Sequence, residues 1–323
     1  ANPTMKPEEA QLIQLQIYHL LCFLTYTEPK LDTIINLPTL TQDPEQGSHW
    51  VTIPYSIQPK PLCGKSDDPY QAYYLTPDAN HPDASALLLF PGTAPLPWNK
   101  GSFLTYASDI TPYRSVGGSI YAQCKEQLRE LVHVSRHPVV AIGHSLGGAM
   151  CGMLARDNPH IAIRAFSPPF ALSTATRLTA LATHILLIAL AATLLYFGAP
   201  IITSLAACAL VAVATPLVCS LCTYVWRNFL QRQPAATSTP SLNADGLPHH
   251  LLATQKQDLV SLVGDQTYTD QCVNIELHHD GKQKNVIRAH TQAFSHLPNA
   301  HLVNKNIQDK MASFRRIIAN AYW

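Results

Sequence analysis

The chain has 323 residues, of which 47% are hydrophobic and 13% charged, and its formal net charge at pH 7 is +1. This composition excludes an intrinsically disordered chain and supplies enough apolar residues for one large α/β domain or two smaller ones. Because the charge is balanced, it gives no electrostatic basis for binding nucleic acid.

The cysteines and the N-terminal sequence give information on the cellular compartment of the protein. Eight cysteines are spread along the chain without the density of a disulfide scaffold, which predicts free thiols. No basic segment followed by a short apolar run opens the sequence, so we expect no Sec signal. Cys219-Ser-Leu-Cys222 resembles a metal pair only in its spacing, and because it has no partner pair and lies in an apolar run we expect it to pack. Elsewhere the sequence has no metal-ligand spacing of His and Cys and no Gly-rich phosphate loop with a Lys, so we expect no metal and no other cofactor.

The first quarter of the chain predicts one helix and several strands. Apolar residues recur at helical spacing over residues 8–25, which indicates an amphipathic helix, and the Pro-rich passage 29–44 breaks the pattern. Alternation over residues 50–57 predicts a strand, and Pro54 within it favours the edge of a sheet. Further strands are predicted at residues 73–75 and 86–90, and a helix at residues 120–134.

The most informative motif is Gly143-His144-Ser145-Leu146-Gly147, which follows an apolar run and precedes helical spacing. This order predicts a buried parallel strand, a tight turn and a helix, which is the setting of a nucleophile elbow. The serine of such a turn has a strained backbone, and a side chain at either glycine would collide with the adjoining strand and helix. Ser145 is therefore the predicted nucleophile.

A second turn, Pro91-Gly92-Thr93, follows the strand predicted at residues 86–90. An acyl-transfer enzyme stabilises its oxyanion with fixed backbone N–H donors, one directly after the nucleophile and one after an earlier strand. We expect these donors to be the N–H groups of Leu146 and Thr93. The alternative is an ordinary turn that uses Pro and Gly.

These motifs resemble those of the class 3 lipases, a branch of the α/β hydrolases. The similar segments are Phe90-Pro-Gly-Thr93, Ser108-Asp109-Ile110, Gly143 to Gly148 and Ala165-Phe-Ser-Pro168. The resemblance implies an α/β-hydrolase fold, with a mostly parallel central sheet and helices on both faces. It also implies a serine lipase or esterase that needs no cofactor.

The acid of a Ser-His-Asp triad follows the serine in the chain and lies in a loop after a later strand, where it accepts the Nδ1–H of the histidine. A short strand is predicted at residues 251–254, and Asp258 follows it. Asp258 also resembles the Asp-x-Val that follows a strand in class 3 lipases. Asp265 and Asp270 are the alternatives.

Several histidines compete for the remaining position of the triad. Two predicted strands joined by an Asp-Gly turn, the second at residues 285–288, place His290 just past a strand end. Phe294 follows it, which resembles the aromatic residue found after the catalytic histidine in the family. His301 is the main alternative, and His296 lies in the same region.

A long apolar stretch separates the serine from the acid. Residues 178–226 include no Asp, Glu, Lys or Arg, and Gly198-Ala-Pro200 divides them into two runs. Because a helix of about 20 residues spans the roughly 30 Å hydrocarbon core of a bilayer, we expect a membrane hairpin. The alternative is a lid of a soluble hydrolase, although lid helices have one polar face. Arg177, Arg227 and Arg232 flank the stretch and favour the cytoplasmic side for the catalytic domain.

The predicted organisation is an α/β-hydrolase core in two parts, residues 1–176 and 249–323, with an inserted apolar hairpin at 177–232 and a linker at 233–248. We expect a membrane-associated serine hydrolase of the lipase or phospholipase A type that cleaves acyl esters of lipids. The sequence indicates no protein partner. An acyltransferase or thioesterase would use the same triad, and a non-catalytic membrane anchor on a hydrolase fold is the alternative of another class.

Overall fold

The structure is a computed structural model that describes twelve parts of the chain. They are residues 7–25, 31–43, 47–61, 71–93, 115–169, 171–198, 243, 245–255, 258, 260–262, 268–269 and 271–277. Four α-helices and eight strands lie within these parts. In chain order the elements are α1 (Pro7–Leu24), β1 (Ile34–Asp43), β2 (Gly47–Pro61), β3 (Gln71–Pro77), β4 (Ala86–Phe90), α2 (Gly118–Val134), β5 (Val139–His144), α3 (Leu146–Asp157), β6 (Ala162–Phe166), α4 (Thr174–Tyr196), β7 (His250–Gln255), a 3-10 helix (Val260–Leu262) and β8 (Val273–Leu277).

All eight strands belong to one mixed sheet, in which the order from β1 to β8 is the same as the order in the chain. The pairs from β1 to β4 are antiparallel, and the pairs from β4 to β8 are parallel. Parallel neighbours need a crossover, and α2 and α3 provide the first two. The predicted α/β class is thereby confirmed.

Two apolar cores cover the sheet, one on each face. Alternating residues of β4 illustrate this, since Leu87 and Leu89 belong to the core beneath α1, whereas Leu88 and Phe90 belong to the core beneath α2 and α3. Each of these four side chains is at most 3% exposed. Burial on both faces explains why the strand reads as an unbroken apolar run rather than as an alternation.

The prediction that the strand around Pro54 lies at a sheet edge was wrong. β2 pairs with β1 on one side and with β3 on the other, and Pro54 faces Asn36 of β1. The ladder between β2 and β3 ends at Tyr55, so the missing N–H of Pro54 costs no hydrogen bond with β3. At the antiparallel end of the described sheet the outermost strand is β1, which lies inside the Pro-rich passage 29–44 and was not predicted.

A buried ion pair fixes the segment through which the chain returns to the sheet. Arg164 of β6 is fully buried, and its Nη2 lies 2.7 Å from Oδ2 of Asp245. Its Nη1 donates hydrogen bonds to the carbonyls of Pro248 and His249, at 2.7 and 3.1 Å. Tyr18 of α1 donates to Oδ2 of Asp245 at 3.0 Å, and burial together with that carboxylate raises the pKa of Tyr18 well above its ordinary value. The phenol therefore remains a proton donor at neutral pH.

The start of α4 is anchored to the body of the fold. Ser173 caps the helix by accepting a hydrogen bond from the N–H of Thr176 at 3.1 Å. Arg177 donates from Nε to the carbonyl of Leu172 at 3.0 Å and from Nη2 to Oγ of Ser115 at 3.2 Å. The orientation of the first turn of α4 is therefore set by the segment that precedes α2.

The rest of α4 presents apolar side chains to its surroundings. Leu186 is 71% exposed and Ile188 is 70% exposed, and the other large apolar side chains with high exposure are Leu178, Leu181, Ile185, Leu195 and Tyr196. In the described ranges, no helix is both long enough and apolar enough to cross a membrane. The second run of the predicted hairpin lies outside the described residues.

Candidate active site

Ser145 occupies the single position between a strand and a helix. β5 ends at His144 and α3 begins at Leu146, so the chain reverses direction at the serine. Ser145 has φ 54° and ψ −121°, a backbone conformation that residues other than glycine rarely adopt. Its N–H donates to the carbonyl of Phe166 at 2.9 Å, and the side chain is partly exposed. This is the strand, tight turn and helix that the sequence predicted around Ser145.

The two glycines of the motif have no room for a side chain. A Cβ on Gly143 would lie 2.8 Å from the backbone nitrogen of Gly148 and closer still to the carbonyl of Gly147. A Cβ on Gly147 would lie 2.8 Å from the carbonyl oxygen of Pro91 and closer to that of Phe90. Because these neighbours are backbone atoms, they cannot move aside as a flexible side chain could. The predicted collision with the adjoining strand and helix is confirmed.

The close approach of Gly147 to Phe90 and Pro91 also places the turn after β4 next to the first turn of α3. The first N–H groups of a helix have no acceptor within the helix, and its N-terminus carries partial positive charge. Leu146 is the first residue of α3, and Thr93 lies three residues after β4 and is partly exposed. The two expected oxyanion donors therefore belong to neighbouring turns.

Asp258 lies three residues after β7, where the triad acid was expected. Its side chain is 1% exposed. The N–H of Val260 donates to Oδ1 at 3.0 Å, and the hydroxyl of Ser261 donates to Oδ2 at 2.7 Å. The sequence did not point to Ser261 as a partner of Asp258. The hydrogen bond from the N–H of Val260 to Asp258 belongs to a turn that aspartate commonly forms.

The serine, the turn after β4 and the acid lie along one edge of the sheet. Strands β4 to β8 are parallel, and the register pairs Phe90 with Gly143 and His144 with Phe166. Since the carboxyl ends of parallel strands meet at the same edge, the loops that follow β4, β5, β6 and β7 all begin there. The chain leaves β8 at the same edge, at Leu277.

The remaining predicted residues lie outside the described part of the chain. These are His290, His296 and His301, the alternative acids Asp265 and Asp270, and Ser108-Asp109-Ile110. The structure therefore brings Ser145, Leu146, Thr93 and Asp258 to one edge and leaves the choice of histidine as a prediction.

Ser167, which belongs to the segment Ala165–Pro168, is a second serine with an unusual backbone, and the sequence did not predict its conformation. It follows β6 directly, has φ 46°, and donates its N–H to the carbonyl of Ala253 at 2.7 Å. Its side chain is fully buried, and within the described ranges its hydroxyl has no hydrogen-bond partner. A left-handed backbone and an unsatisfied hydroxyl each cost about 1–3 kcal/mol. The strained residue follows β6, which lies between β5, the strand before Ser145, and β7, the strand before Asp258.

Aromatic side chains of helix α1 pack against His144, the residue before Ser145. The ring of His19 contacts the ring of His144 at a centroid distance of 5.6 Å and the ring of Phe166 at 5.2 Å. The ring of Phe23 lies 5.8 Å from that of His144. His144, the residue before Ser145, is therefore held in an aromatic cluster, and it is 4% exposed.

Four cysteines lie in the described part of the chain. Cys22, Cys124, Cys151 and Cys272 are thiols rather than disulfides, and the first three are buried. Burial raises the pKa of Cys151 well above its ordinary value, and burial likewise raises that of Cys22. Their thiols are therefore protonated at neutral pH and shielded from substrate.

Comparison with known proteins gives no assignment: no family model, no curated protein and no solved structure matches this chain. Among the described residues, no group of three or more His, Cys, Asp or Glu side chains is arranged to hold a metal ion.

Proposed function

We propose that this protein is a serine hydrolase of the α/β-hydrolase type that cleaves acyl esters through an acyl-enzyme on Ser145. The observation that carries the proposal is the backbone of Ser145, with φ 54° at a one-residue junction between a buried strand and a helix. Strain of this kind at a partly exposed serine is retained where it serves a function. Two glycines without room for a Cβ hold the turn in place.

The mechanism follows from the groups at this edge. His290, or alternatively His301, accepts the proton of Ser145 as the serine oxygen attacks the ester carbonyl. Asp258 accepts the Nδ1–H of that histidine and stabilises the imidazolium. The N–H groups of Thr93 and Leu146 stabilise the oxyanion, and the alcohol leaves with the proton. Water then attacks the acyl-enzyme and releases the carboxylic acid, with the histidine again transferring the proton.

Covalent labelling tests this proposal directly. A fluorophosphonate probe reacts with a serine only where a base activates it, so we expect the intact protein in detergent to be labelled and Ser145→Ala to remain unlabelled. A protein that is folded but unlabelled would contradict catalysis and support a non-catalytic anchor. Comparing His290→Ala with His301→Ala identifies the base, because labelling is lost only in the variant that removes it.

We further propose that the substrate is a lipid ester taken from a membrane surface, with the catalytic domain on the cytoplasmic side. Support comes from the exposed apolar side chains of α4, a helix that begins eight residues after β6 leaves the sheet at the edge where Ser145 lies. Monomeric proteins seldom expose a large apolar patch unless it binds a partner or a membrane. Thr174–Tyr196 is exposed around much of its circumference, which fits lipid better than the single stripe that a protein groove requires.

Flotation with phosphatidylcholine vesicles tests the membrane proposal. We expect the protein to float with the vesicles and the double variant Leu186→Glu, Ile188→Glu to float less. Val134→Glu is the matched control, because Val134 is also exposed, at 65%, but lies at the end of α2. Equal flotation of both variants would contradict a role for α4.

Product analysis separates hydrolysis from transfer. With a labelled phospholipid as substrate, a hydrolase releases the free fatty acid whether or not an alcohol or thiol acceptor is added. An acyltransferase would instead move the label to the acceptor, and a thioesterase would prefer an acyl thioester.

A further inference from the structure

The carboxylate of Asp258 is held by two donors from its own loop. The hydroxyl of Ser261 donates to Oδ2 at 2.7 Å, and the N–H of Val260 donates to Oδ1 at 3.0 Å. Both side chains are nearly inaccessible, with Asp258 at 1% and Ser261 at 3% exposure. A hydroxyl-to-carboxylate hydrogen bond of this length, shielded from water, is among the stronger bonds in proteins.

The two hydrogen bonds affect both the charge and the orientation of the Asp258 carboxylate. Burial disfavours a charged carboxylate, whereas hydrogen bonds to the charged form favour it, so the two donors help to keep Asp258 ionised. They also fix the plane of the carboxylate, because each oxygen is bonded to a different residue. A carboxylate accepts about four hydrogen bonds, so the bonds from Val260 and Ser261 do not by themselves exhaust its capacity.

We propose that Ser261 is a positioning residue of the triad, which orients the ionised carboxylate of Asp258 toward the catalytic histidine. The inference rests on the proposed function and assigns the acid to Asp258 rather than to Asp265 or Asp270. Ser261 does not touch the substrate. It acts through Asp258, whose orientation then sets the tautomer and direction of the imidazole.

A purely structural role makes a different prediction. Asp258 lies two residues before the start of the 3-10 helix Val260–Leu262, and the same two hydrogen bonds would serve to cap that turn. Loss of a cap lowers stability and leaves the turnover of each folded molecule unchanged. The test must therefore measure the rate per active site, not per mole of protein.

The experiment compares Ser261→Ala and Ser261→Thr with the wild type in the full chain, using a soluble p-nitrophenyl ester. Active sites are counted by titration with the fluorophosphonate probe, so unfolded protein does not contribute. We expect Ser261→Ala to lower kcat roughly 10- to 100-fold with KM nearly unchanged, which is the range for a misplaced catalytic group. Ser261→Thr keeps a hydroxyl and should recover most of the loss.

A double-mutant cycle with Asp258→Asn completes the test. If Ser261 acts through Asp258, adding Ser261→Ala to Asp258→Asn causes no further loss of kcat. A wild-type kcat in Ser261→Ala, or an equal loss in both backgrounds, would overturn the inference while leaving the role of Ser145 intact. Failure of the proposed function has another signature, because Ser145 of the wild type would then not be labelled.

Discussion

Replacing Asp245 with alanine tests whether the buried ion pair holds the two parts of the chain together. Asp245 joins β6 to the returning segment and to α1, through Arg164, Tyr18 and the N–H of Leu247. The substitution removes the carboxylate and leaves a guanidinium with no exposed surface. The perturbation therefore creates an unpaired buried charge and two donors without their acceptor.

These contacts determine how much Asp245→Ala lowers the free energy of unfolding. Removing one partner of a buried pair costs about 3–5 kcal/mol, and each neutral donor left unsatisfied adds about 1 kcal/mol. Arg164 keeps three backbone acceptors, the carbonyls of Ile163, Pro248 and His249, which reduces the penalty. We therefore expect Asp245→Ala to lower the free energy of unfolding by about 3–5 kcal/mol, a large part of the 5–15 kcal/mol typical of folded domains.

Urea unfolding followed by circular dichroism measures this loss, with the slope of the transition checked for a change in mechanism. Asp83→Ala is the matched control, because Asp83 is exposed and its loss should change stability by less than about 0.5 kcal/mol. The double variant Arg164→Met, Asp245→Leu should be far less destabilised than Asp245→Ala, since it removes both charges. A loss below about 1 kcal/mol in Asp245→Ala would refute the reasoning.

Three further predictions concern the elbow and its surroundings. Gly147→Ala should abolish probe labelling and lower the unfolding free energy by about 1–3 kcal/mol, because the new Cβ meets backbone carbonyls; wild-type labelling would contradict this. Ser167→Gly should raise the unfolding free energy by about 1 kcal/mol in a denaturant titration, because glycine adopts φ 46° without strain and carries no buried hydroxyl; a loss of stability would show that the hydroxyl is satisfied. Burial raises the pKa of Tyr55 to about 12, so the unfolded chain loses this proton first, and stability should fall between about pH 10 and 12 in the wild type but less in Tyr55→Phe.

The elements that the sequence predicted well are those whose signal is local. β4 begins and ends where its apolar run does, and the turn at Ser145 was predicted because a strand pattern changes to a helix pattern at a glycine-flanked serine. β1 was missed because Pro38 within it and Pro44 just after it suggested a break, whereas pairing with β2 along its whole length determines its conformation. Pairing with a neighbouring strand can thus override a local signal against strand.

The candidate site likewise includes residues that the sequence predicted and residues that it did not. Ser145 and the turn after β4 could be predicted because strand, turn and helix are consecutive in the sequence. Asp258 was chosen by chain order, and its burial and its bond with Ser261 became visible only in three dimensions. The strain at Ser167 and the pair between Arg164 and Asp245 could not be predicted, because each depends on a strand or segment distant in the chain.

The contacts of α1 have a consequence for the order in which the protein folds during synthesis. Tyr18 bonds a residue 227 positions later, and Gln11 bonds the carbonyl of Gly246, 235 positions later. At 5–20 residues per second the ribosome needs roughly 10–45 s to make this partner segment. The uncharged residues 178–226 leave the ribosome before it, so they meet chaperones or a bilayer while the first helix still lacks its final partners. The uncharged stretch is therefore made before the contacts between α1 and residues 245–246 can form.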